Sequence, residues 1–112
     1  ATLKRLGHRY LKGINNAKSL KLDFRYKSQI TASAISIPSN IGEGDESNTV
    51  KQSINYFYIA KGSCAELITQ LIIAKELNLI KSDIAKELIK KTNLISYMLQ
   101  KLINYRRQTL NS

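Results

Sequence analysis

Two stripes of polar residues carry what chemistry this chain can offer. Ser36, Asn40 and Glu43 recur at i, i+4 and i+7, and Ser63, Glu66 and Gln70 at i, i+3 and i+7. Each set falls on one face of a helix. General acid–base catalysis needs two titratable groups converging on one substrate. Glu43 and Glu66 lie in different stripes. With a turn near Asp45, Asn40 stands roughly 7 Å from it and Ser63 roughly 27 Å, at 1.5 Å per residue. Stripes so placed do not meet within one hairpin. Each then satisfies local backbone and water, or they meet across subunits. Buried hydrogen bonding that fixes packing or assembly is the expected role. No nucleophile–base set accompanies them, so no catalytic residue and no enzyme activity is expected. His8 stands among cations without a second His, Cys or acid nearby. No metal or other cofactor is therefore expected.

The other candidate chemistry is electrostatic. The net charge is +10, unevenly placed. Residues 1–27 carry +7, residues 28–80 carry −2 and residues 81–112 carry +5. Two basic ends flank a slightly acidic middle, which points to an anionic partner. Lys4, Arg5, Arg9 and Lys12 near the start, and Lys90, Lys91 and Lys101 near the end, are the candidate nucleic-acid contacts. Few aromatics interleave with these cations in sequence. Weak base stacking and little sequence readout are expected.

Four helices must position these groups. Leu3, Leu6, Tyr10, Ile14 and Ala17 mark a first helix over 2–20. A break at 21–23, with Asp23 as N-cap, opens a second over 24–43. Pro38 lies inside it and should kink it, and Gly42 and Gly44 offer caps at its end. Gly42-Glu43-Gly44 is not a phosphate loop, because the P-loop Lys-Ser/Thr is missing. Ser47 or Asn48 caps a third helix over 47–77, the spine of the molecule. Its apolar arc, from Val50 and Phe57 to Leu71 and Ile72, covers more than half the wheel, with Lys61 inside it as a snorkelling stem. A helix apolar nearly all round is buried on more than one side, so self-association is expected. Ser82 and Asp83 start a fourth helix over 82–105, whose end carries Arg106 and Arg107; residues 108–112 fray. The fold class is all-α, an antiparallel up-down-up-down four-helix bundle in one domain spanning 1–112. In that topology the first and fourth helices are neighbours, and the two basic ends merge into one face.

Ser36-Ile37-Pro38-Ser39-Asn40-Ile41-Gly42-Glu43-Gly44 and Tyr58-Ile59-Ala60-Lys61-Gly62-Ser63-Cys64-Ala65-Glu66-Leu67-Ile68-Thr69-Gln70-Leu71 resemble the two signatures of the 23S rRNA intervening sequence proteins. The resemblance runs from about Leu3 to Tyr105. It marks Ser36, Pro38, Asn40, Glu43, Gly44, Gly62, Ser63, Glu66 and Gln70 as motif or assembly residues. It implies a bacterial four-helix bundle assembled as a ring-like homopentamer, with no established biochemical role. A more distant likeness is to accessory proteins of diversity-generating retroelements, basic pentamers that bind nucleic acid and a reverse transcriptase. This chain departs from the family pattern at three places. Ala32 and Ser33 stand near the usual arginine, Gly42 replaces an alanine, and Asp45-Glu46-Ser47 occupies a stretch where another arginine is common. Cations on the first and fourth helices must then supply any nucleic-acid contact.

The expected function is a non-catalytic homo-oligomer that binds RNA or DNA through its basic face. The alternative is a structural or partner-binding scaffold. A single cysteine, Cys64, excludes an intrachain disulfide and suits a reducing compartment. No signal-peptide pattern stands out, and no apolar run reaches the roughly 18 residues of a spanning helix. A cytoplasmic protein without a membrane role is expected.

Overall fold

A computed structural model describes the backbone of residues 16–111 and the side chains of residues 23–110. The fold is all-α, with three helices and no strand among the described residues. These are α1 (Asn16–Glu46), α2 (Val50–Glu76) and α3 (Ser82–Asn111). The expected helix over 2–20 is in large part outside the described residues, and with it Lys4, Arg5, Arg9 and Lys12. Its last residues, from Asn16 on, belong to α1.

The expected break at 21–23 is not there. Leu20, Lys21, Leu22 and Arg25 favour helix, and no glycine or proline stands between Asn16 and Pro38. A lone Asp23 does not outweigh them. The expected caps at Gly42 and Gly44 fail too. No glycine among the described residues has a positive φ, and α1 runs on to Glu46. Gly44 serves packing instead. A Cβ there would stand 2.4 Å from Cε1 of Phe57 and 2.8 Å from its Cδ1. The missing side chain admits the ring, which is fully buried. α3 also outlasts its expected end at residue 105, because its last turns are anchored. Arg106 reaches Asp45 at 3.9 Å and lies 5.8 Å from the centre of the Phe57 ring.

Thr49, not Ser47 or Asn48, caps α2. Its backbone is extended, φ −128 and ψ 152, and its side chain accepts from the Gln52 amide. Such a cap satisfies one of the free N–H groups of the first turn. The far end closes on a Schellman motif. The Leu79 amide donates to the Ala74 carbonyl and the Asn78 amide to the Lys75 carbonyl, both within 3.0 Å. That geometry needs a left-handed residue, and Asn78 supplies it at φ 60.

α2 packs against α1 on one side and α3 on the other, while α1 and α3 make almost no direct contact. Ile37 of α1, Phe57, Cys64, Leu67 and Leu71 of α2, and Leu99 and Ile103 of α3 form the core. This middle position accounts for much of the wide apolar arc of α2. Although it lacks a long uninterrupted apolar run, α2 is long and apolar enough to cross a membrane by length and composition. Much of its apolar surface already faces the other two helices. Tyr58 and Ile59 remain exposed.

Candidate nucleic-acid interface

The two polar stripes meet, and they meet inside one chain. Ser36 Oγ lies 2.8 Å from Ser63 Oγ. Asn40 Nδ2 donates to the Ser36 carbonyl at 2.8 Å and to its Oγ at 3.0 Å. Ser63 Oγ donates to the Ile59 carbonyl at 3.1 Å. A hydroxyl has one proton, so the order is fixed: Asn40 to Ser36, Ser36 to Ser63, Ser63 to Ile59. Farther along, Glu66 Oε1 accepts from Ser33 Oγ at 3.4 Å and from Gln70 Nε2 at 3.3 Å.

The expectation that these stripes stay apart fails on the place of the turn. It lies between Glu46 and Val50 rather than at Asp45. Ser36 and Ser63 then stand almost equally far from Thr49, about 13 and 14 residues. The far end of one stripe faces the near end of the other. Ser33, a small residue noted only for not being arginine, completes the seam. Glu43 does not join it. Its side chain is exposed, and its carbonyl accepts from Ser47 Oγ at 2.7 Å. Gly62 is exposed, with open space where a Cβ would go, and Pro38 turns toward α3. The seam brings no nucleophile beside a base. Its Gln70 Oε1 is buried without a hydrogen-bond partner.

Opposite the seam, α1 and α3 leave an open apolar groove of about 880 Å3. Ala34, Pro38 and Ile41 form one wall, and Leu88, Ile95, Met98 and Leu102 the other. Lys91 and Lys101 also line it. Lys91 is ion-paired with Glu87 at 3.4 Å, while Lys90 points to solvent.

Residues 5–101 match the family model of the 23S rRNA-intervening sequence proteins. The chain belongs to that family. Neither a curated protein nor a solved structure matches it. The family match spans the whole seam and α3 as far as Lys101. Tyr105, Arg106 and Arg107 of this intervening sequence protein lie beyond it.

The fold also assembles groups that spacing along the chain left scattered. Lys101 Nζ sits 5.1 Å from the centre of the Tyr97 ring. Arg107 lies 5.8 Å from the Tyr58 ring centre and donates to the Tyr58 hydroxyl. The Tyr97–Lys101 pair is visible in sequence as an i, i+4 spacing. The Tyr58–Arg107 pair joins two helices and is not. Cys64 is fully buried in the core. Burial pushes its thiol pKa up, and the nearby Lys61 charge offsets part of the rise.

Proposed function

We propose that this intervening sequence protein is a non-catalytic four-helix bundle that self-associates and binds RNA or DNA through a basic face. The open groove between α1 and α3 carries the reading. Ala34, Pro38, Leu88, Ile95 and Met98 stand exposed along it, and a further apolar helix face, as a four-helix bundle supplies, would cover them.

In an up-down-up-down bundle the first and fourth helices are neighbours, which would bring the candidate contacts Lys4, Arg5, Arg9 and Lys12 to the face of Lys90, Lys91 and Lys101. These cations would contact phosphates, and repetition around an oligomer would raise avidity. The half-covered seam, with an unpartnered Gln70 oxygen and the exposed Ile59 nearby, supports a second copy packing there. The family resemblance supplies the number five.

A salt-dependent titration with RNA and DNA tests the reading. Affinity should fall steeply as salt rises. Reversing Arg5, Arg9, Lys90 and Lys91 to glutamate together should abolish binding and leave the oligomer intact in light scattering. Wild-type protein that binds neither nucleic acid at low salt would leave a scaffold for a protein partner, such as a reverse transcriptase, as the surviving function.

A further inference from the structure

We infer that the outer face of α3, with its border on α2, is a track for single-stranded nucleic acid, using tyrosine stacking as well as charge. This rests on the nucleic-acid reading above and names its substrate class. Lys86, Lys90, Asn93, Tyr97, Lys101 and Asn104 follow one another at helical spacing, and all are exposed. The track runs on to Arg107, roughly 32 Å from Lys86 at 1.5 Å per residue. The one acid of that span, Glu87, is held by Lys91. Across the border, α2 contributes Lys61, which joins Asn93, Tyr97, Gln100, Lys101 and Asn104 around a shallow groove of about 550 Å3.

Two rings stand on this track. Tyr97 is 52% exposed and Tyr58 41%, each with a cation near its ring. Phosphate contacts alone do not distinguish a duplex from a single strand. Ring faces do, because only unpaired bases can splay out and stack on them. The amides of Asn93, Gln100 and Asn104 add donors and acceptors for base edges, and Gln100 and Asn104 are already tied to each other at 2.9 Å. Cations, exposed rings and amides on one acid-poor face match a single strand better than they match a duplex or a protein.

The test is an anisotropy titration at fixed salt. The probes are labelled oligouridylate and oligothymidylate of about 15 nucleotides, within the range of known single-strand sites, and a duplex of equal length. Single strands should bind about tenfold tighter than the duplex. Tyr97→Leu and Tyr58→Leu should each weaken single-strand binding roughly tenfold and leave duplex binding unchanged. Tyr97→Phe keeps the ring and should keep the affinity. With no tryptophan in the chain, quenching of tyrosine fluorescence should accompany binding and shrink in Tyr97→Leu. Preference for uridylate identifies RNA as the source and preference for thymidylate DNA; either supports the track. Equal affinity for duplex and single strand, unmoved by both leucine variants, overturns the track while the charge reading stands. Absence of binding to all three probes at low salt overturns both.

Discussion

The two sides of α1 are built to opposite plans. Toward the Ser63 side of α2, it presents Ser33, Ser36 and Asn40, and the partners are already in place within the chain. Toward α3, it presents Ala34, Pro38 and Ile41 to an empty groove. A polar seam specifies register, because an unmatched hydroxyl in a half-dry place costs more than an unmatched methyl. An apolar groove specifies only that something apolar must cover it. The seam therefore fixes how α1 and α2 align, and the groove sets what the rest of the chain, or a second copy, has left to do.

The strongest way to break the first plan is at its turn end. Gly44→Ala drives a Cβ into the buried Phe57 ring and should cost about 1–3 kcal/mol, as overpacking in a filled core does. Gly42→Ala, two residues away, meets nothing within 4 Å and should stabilise by about 0.5–1 kcal/mol through helix propensity alone. Urea unfolding of both variants checks the contrast. Equal effects would mean that Phe57 does not depend on the Gly44 gap.

The next effect sharpens the seam itself. Ser36→Ala and Ser63→Ala should each cost roughly 1 kcal/mol. Their double mutant should cost clearly less than the two singles added, because they share one hydrogen bond. Strict additivity in a double-mutant cycle would show that the two hydroxyls do not interact in solution.

The smallest effect asks how dry the protein is between seam and groove. Cys64 has its thiol pKa raised by burial. The unfolded chain therefore ionises first as pH rises. Stability is full below the ordinary thiol value of roughly 8.5 and falls above it, until the folded pKa is passed. Chemical denaturation at a series of alkaline pH values should show that decline, and Cys64→Ala should lose that part of the slope. An unchanged slope would mean that the thiol is hydrated.

What the sequence disclosed, and what it hid, divides along the same line. Periodicity placed the helical stretches that α1, α2 and α3 cover, and the two motifs identified the family, because both are local patterns. The break at 21–23 failed on local propensity, and other ends were misplaced because a residue answers to a distant partner. Gly44 reads as a cap but makes room for Phe57. The last helix reads as ending at residue 105, yet Arg106 in its next turn meets Asp45 and the helix runs on to Asn111. The seam was missed because moving the turn from Asp45 to the residues before Val50 re-pairs every residue of the hairpin. The Tyr58–Arg107 pair spans 49 positions, and nothing in either neighbourhood announces the other. Among the proposed nucleic-acid contacts, Lys90 and Lys101 lie on the exposed track, Lys91 lies at the groove, and Lys4 to Lys12 lie outside the described residues.

The reach of Arg106 back to Asp45 and Phe57 has a consequence for how the protein is made. A ribosome adds about 5–20 residues per second. α1 and α2 are complete at Glu76, and Arg106 follows about 30 residues later. For about 2–6 s of synthesis the chain holds the Gly44 gap and the Phe57 ring without the guanidinium that lies beside that ring. A chain released in that interval would lack both Arg106 at the turn end and the Leu99 and Ile103 share of the core.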